Sequence, residues 1–157
     1  MPNLSQPGNF FVVGGTLKRD AASYVKRPVD DEILQLTLAG NYCNVLAARQ
    51  TGKSSLMVRT SERLKEQGVR TVIIDLTSIG SNVSSSEWYF GLLSRLSREL
   101  KLSVDENAWW QARSEQSPVQ RFSDFLREVI LEEISEPIVV FVDEIDSTLK
   151  LGFTDDF

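Results

Sequence analysis

The chain has 157 residues, 41% of them apolar and 25% charged, the make-up of an ordinary globular protein able to bury one core. Its 17 basic against 22 acidic residues leave a net charge of -5, which argues against charge-driven binding to phosphodiester backbones, so nucleic acid is not an expected partner. A single cysteine excludes an internal disulfide framework, and the absence of histidine removes the commonest general base and the commonest metal ligand together.

No signal peptide or membrane-spanning stretch is apparent, so the chain reads as cytoplasmic, with no membrane partner. In chain order, Met1 to Gln6 are polar, and Phe10 to Leu17 (F-F-V-V-G-G-T-L) read as a short strand running into a Gly-Gly turn, an added hairpin. Asp30 to Ala39 predicts a helix on Ile33, Leu34, Leu36 and Leu38, with acidic residues in its first turn and Gly40 as its stop. Asn41 to Ala47 is too short for a helix and reads as a strand, in which Cys43 is expected to be a buried, inert thiol.

From Lys53, the residues Leu56, Met57, Val58 and Leu64 suit an amphipathic helix closed by Gly68. Val69 to Leu76 is a second strand. Ser84 with Glu87 forms a capping box for a helix to about Leu100, and Ser117, Pro118 and Gln120 start another that runs to about Glu133. Ile138 to Val142 (I-V-V-F-V) is apolar without alternation, which predicts a strand buried on both faces. Strands alternating with helices predict an α/β fold, a parallel sheet flanked by helices. Trp88 falls on a helix, whereas Trp109 and Trp110 sit between two helices, where core packing is the expected role and base stacking the alternative.

The chemistry concentrates in two places. Arg49 to Leu56 reads R-Q-T-G-K-S-S-L, the ending of a phosphate-binding loop of pattern G-x-x-x-x-G-K-[ST], with Ala47 where the first glycine would stand. The triplet alone arises by chance in roughly one chain in ten of this length, so its position after a strand and at a helix start carries the weight. There the backbone amides of Thr51 to Ser55 converge at the positive end of a helix. Lys53 would reach the β and γ phosphates, Ser54 would ligate Mg²⁺ and Gly52 would allow close approach, with Gln50, Thr51 and Ser55 as further loop residues. An ordinary helix start is the alternative. Ala47 costs on the order of 1 kcal/mol more than Gly only if its backbone is left-handed. Arg49 either touches a phosphate or is solvated.

The second place is V-V-F-V-D-E, Val139 to Glu144, a strand ending in adjacent carboxylates. Asp143 would hold Mg²⁺ or its waters, and Glu144 would orient and deprotonate an attacking water. A strand that merely exits into a polar loop is the alternative, and Asp146 is either further support or solvated.

With these residues the chain resembles the AAA-like P-loop ATPases of bacterial signalling proteins, close to the STAND class of signal-transduction ATPases. The likeness runs through F-F-V-V-G-G-T-L, Y-V-K-R (Tyr24 to Arg27), R-Q-T-G-K-S-S-L, I-D-L-T (Ile74 to Thr77), S-P-V-Q-R-F (Ser117 to Phe122) and F-V-D-E-I-D. It implies a P-loop NTPase-like sheet, ATP and Mg²⁺ as ligands, and Tyr24 and Val25 near the adenine, with packing at the helix start as the alternative. It also divides the chain into an N-terminal hairpin and adenine-proximal segment (1–29) and a partial ATPase core (30–157). Such families are switches more than fast enzymes and join this domain to WD-repeat propellers or other signalling modules, so other signalling domains or protein partners are expected.

Members of the class continue past the acidic strand with a sensor strand and a helical lid. The resemblance therefore implies an incomplete core, with self-association or a rearranged sheet as consequences. The function so implied is a nucleotide-dependent switch with slow Mg-dependent ATP hydrolysis when complete. The alternatives are a non-hydrolysing protein-interaction scaffold and a DNA-associated, initiator-like ATPase.

Overall fold

The computed structural model describes residues 25–46 and 51–153. The expected hairpin at Phe10 to Leu17, together with Tyr24, Ala47, Arg49 and Gln50, lies outside the described residues. The chain forms two compact units, Met1–Gln67 and Gly68–Phe157.

In the first unit, helix α1 (Pro28–Leu38) begins where Arg27 is still extended and proline occupies the first turn, a position where its missing N–H costs nothing. The Arg27 N–H donates to the Asp30 carboxylate at 2.7 Å, which satisfies a donor the helix cannot. The helix ends on Gly40 at φ +75°, with Asn41 N–H donating to Leu36 C=O and Gly40 N–H to Thr37 C=O, the paired bonds of a Schellman stop. Only Ile33 and Leu34 of the expected apolar set are buried; Leu36 and Leu38 are exposed.

Helix α2 (Lys53–Lys65) buries Leu56 and Leu64 and packs against α1. Arg63 on α2 donates to the Asp30 carbonyl at 3.0 Å and pairs with Asp31 at 2.9 Å, tying the two helices together.

The strand expected over Asn41 to Ala47 is not formed in its described part, residues 41–46, which carry no regular structure. A strand exists only when a neighbour takes its N–H and C=O groups, and among the described residues no strand pairs with this segment. Tyr42 and Leu46 are 88% and 87% exposed as a result. Cys43, expected to be buried, is only half-buried for the same reason.

The second unit contains a two-stranded parallel sheet, β1 (Arg70–Asp75) and β2 (Ile138–Asp143), in register from Arg70 opposite Ile138 to Asp75 opposite Asp143. Parallel strands need a long crossover, and helices α3 (Ser85–Leu100), α4 (Glu106–Gln111) and α5 (Pro118–Phe125) supply it. The expected capping boxes are present at Ser84 with Glu87 and at Ser117 with Gln120. α3 packs on β1, and its apolar stripe, Trp88, Leu92, Leu93, Leu96 and Leu100, fills the core with Val72, Ile74, Phe125 and Ile130. Gly91 belongs to this contact, because a Cβ there would meet Ile79 Cγ2 at 2.9 Å.

Trp109 and Trp110 lie between α3 and α5, as expected, on the short helix α4, started by Asp105, whose carboxylate accepts the Ala108 N–H at 3.0 Å. Both pack rather than stand free: Trp110 is buried, and Trp109 meets Phe125 edge-on at 5.2 Å under the Arg113 guanidinium. The helix from Ser117 to Glu133 is not uniform, since a π turn (Leu126–Ile130) separates α5 from a last turn, Leu131–Glu133. β2 is not buried on both faces, with Val140 at 43% and Val142 at 47% exposure.

Candidate functional site

Gly52 opens α2 from the left-handed region, φ +82° and ψ 23°. A side chain is strained in that conformation, so the glycine is what lets the chain turn directly into the helix. Its carbonyl accepts the first helical bond, from Leu56 N–H at 2.9 Å. Lys53 is the first helical residue, followed by Ser54, and both are half-buried, whereas Ser55 is buried and Thr51 exposed. α2 has no acidic residue in its first turn and two basic residues, Arg63 and Lys65, in its last. The positive potential of its N-terminus is therefore not neutralised from within the helix, which suits an anion.

A contact that sequence reasoning did not find joins this loop. Arg27 Nη1 donates to the Thr51 carbonyl at 2.8 Å, across 24 positions of sequence. The only sequence signal was the basic residue of Y-V-K-R, which carries no hint of its target. Val25, carried over as a base contact, is 78% exposed.

In the second unit, β2 delivers Asp143 to the C-terminal end of the sheet, beside Asp75 at the end of β1. The Asp143 carboxylate accepts the Glu144 N–H at 3.0 Å. Glu144 is exposed and has φ +55°, an uncommon conformation for a residue with a Cβ. It turns the chain out of the strand into a 3₁₀ segment, Ile145–Lys150, in which Asp146 is exposed. Among the described residues no group of three or more His, Cys, Asp or Glu side chains could hold a metal by itself. Mg²⁺ has no need of one, since it commonly binds through one or two carboxylates plus substrate phosphates and water. The Ser54 hydroxyl in the first unit and the Asp143 carboxylate in the second are each oxygen donors of the hard type that Mg²⁺ takes.

A family model described as an AAA-like domain matches residues 12–157. The chain belongs to this AAA-like family. Such membership agrees with the mixed helix-and-strand architecture and parallel strand pair of the second unit, and it supports nucleotide binding in general terms. An uncharacterized WD repeat-containing protein of Synechocystis sp. (strain ATCC 27184 / PCC 6803 / Kazusa) is 40% identical over 151 residues, which is 94% of this chain. The chain spans only 13% of that relative's length. No solved structure matches significantly. Among the described residues, no helix is long and apolar enough to cross a membrane.

Proposed function

We propose that this AAA-like domain is an ATP-binding switch of P-loop type, with slow Mg-dependent ATP hydrolysis when the ATPase core is complete. The observation that carries the reading is the left-handed Gly52 set directly before Lys53, at a helix start with no acidic side chain in its first turn. Amides from Thr51 to Ser55, with Gln50 ahead of them, would cradle the phosphates, and Lys53 would place its ammonium on the β and γ oxygens. The Ser54 hydroxyl and Asp143 would hold Mg²⁺, which when bound supplies charge neutralisation on the phosphate oxygens. Glu144 would orient the attacking water and accept its proton, and Tyr24 and Val25 would lie against the base.

Two substitutions test this. Lys53→Ala is expected to weaken Mg·ATP binding at least tenfold, and Glu144→Gln to retain ATP while lowering turnover by roughly 10² in a longer chain that hydrolyses it. Unchanged affinity in the Lys53 variant refutes the reading.

A second reading, a protein-interaction module within a larger signalling protein, is favoured by the WD repeats in the Synechocystis relative. The two are compatible if nucleotide sets the state that the partner reads. A partner captured equally well with and without ATP would leave only the scaffold.

A further inference from the structure

We infer that Arg27 is a positioning residue for the phosphate loop, holding the Thr51–Gly52 peptide so that the Gly52 N–H points away from the guanidinium and toward the bound phosphates. The inference rests on the nucleotide reading above and specifies how its loop is kept in shape.

A trans peptide unit carries its C=O and N–H on opposite sides of one plane, and no described peptide is cis. A donor that fixes the Thr51 carbonyl therefore fixes the direction of the Gly52 N–H. Arg27 Nη1 is that donor, at 2.8 Å. The same guanidinium covers the face of Gly52, with Nη1 and Nη2 at 3.7 and 3.8 Å from where a Cβ would sit. A glycine has little conformational restraint of its own, so an outside contact has more to fix here than at any other residue type.

The arginine is itself held. Its N–H donates to Asp30 Oδ2, its Nε stands 3.7 Å from the same carboxylate, and the Asp30 side chain is 6% exposed. Asp30 in turn gives its carbonyl to Arg63 of α2. The start of α1, the body of α2 and the loop before α2 thus brace one another through Arg27, Asp30 and Arg63. A planar fork can grip a carbonyl with one nitrogen while the other stays over Gly52, whereas a lysine offers one point charge.

The test measures Kd for Mg·ATP and Mg·ADP by competition with a fluorescent ATP analogue, on the full chain, with Lys53→Ala as control. Arg27→Ala is expected to raise both Kd values by a similar factor, about tenfold, as befits loss of one charge-assisted hydrogen bond. The nucleotide-free melting temperature is expected to stay within about 2 °C, and Arg27→Lys to recover part of the affinity. Wild-type affinity in Arg27→Ala beside a weakened Lys53→Ala overturns the inference alone. So does a loss confined to ATP, which would make Arg27 a direct γ-phosphate contact, or a large fall in melting temperature in both Arg27 variants. Undiminished binding in Lys53→Ala removes the nucleotide reading and this inference with it.

Discussion

Asp75 and Asp143 are register partners at the C-terminal ends of the two parallel strands, yet their carboxylates are engaged differently. Asp75 Oδ1 accepts the Thr77 N–H at 2.9 Å and the Thr77 hydroxyl at 2.6 Å, so it caps the 3₁₀ turn after β1. The Asp143 carboxylate accepts the Glu144 N–H, the amide of the next residue, at 3.0 Å. Asp75→Ala is expected to cost about 1 kcal/mol, a fall of roughly 2–4 °C in melting temperature by circular dichroism. Asp143→Asn, which can still accept that N–H, is expected to lose the Mg²⁺ dependence of nucleotide binding, measured by titrating ATP with and without Mg²⁺.

Lys101 and Glu144 are the non-glycine residues with positive φ among those described, at +58° and +55°. Lys101 ends α3 in that conformation, so Lys101→Gly is expected to stabilise by about 1 kcal/mol. Glu144→Gly relieves the same strain and removes the proposed base, so it is expected to melt no lower than the wild type while turnover in a longer, hydrolysing chain falls by roughly 10². Loss of stability in Glu144→Gly, with turnover intact, would contradict the assignment.

The Ser84–Glu87 capping box makes a pH-dependent contribution. The Ser84 N–H donates to the Glu87 carboxylate at 2.8 Å and the Ser84 hydroxyl at 2.7 Å, and these two bonds, the backbone one foremost, hold the carboxyl below its ordinary 4.5. A depressed folded pKa means that the stabilisation is complete above the unfolded value and is lost as pH falls through the lower folded one. Glu87→Gln is expected to flatten the fall in melting temperature as pH drops below the ordinary carboxylate range, and to sit below the wild type above that range. A variant that tracks the wild type throughout would show that the box contributes nothing measurable.

Leu93 and Phe125 are fully buried at the centre of the second unit. Leu93→Ala is expected to cost about 2–5 kcal/mol and Phe125→Ala about 3–5 kcal/mol, measured by urea unfolding. Leu149→Ala, at a residue 79% exposed, is expected to change stability by less than about 0.5 kcal/mol.

What could be read from the sequence was what local chemistry decides. The caps at Ser84 and Ser117 need only residues three positions apart, and they appear as expected. β1 and β2 were legible because each is a short apolar run between turn signals. The segment Asn41 to Leu46 has the same look but no described partner, and pairing is a property of two segments, not one. The two exposed valines of β2 follow the same logic, since an unalternating run states what a strand tolerates rather than what covers it. Helix α4 was missed because six residues give too little periodicity, although Asp105 was a usable start signal. At the loop, Gly52 and Lys53 were legible from spacing, whereas the reach of Arg27 to Thr51 depends on how α1 and α2 pack.

The central claim is that amides at the start of α2 bind the phosphates of a nucleotide. Titration of Mg·ATP into the isotope-labelled chain, followed by amide ¹H–¹⁵N spectra, tests it most directly. The account predicts saturable shifts at Gly52, Lys53 and Ser54, with the midpoint moved to at least tenfold higher ATP in Lys53→Ala. Amides there that do not move at any ATP concentration, or that move identically with the Lys53 side chain removed, would contradict it.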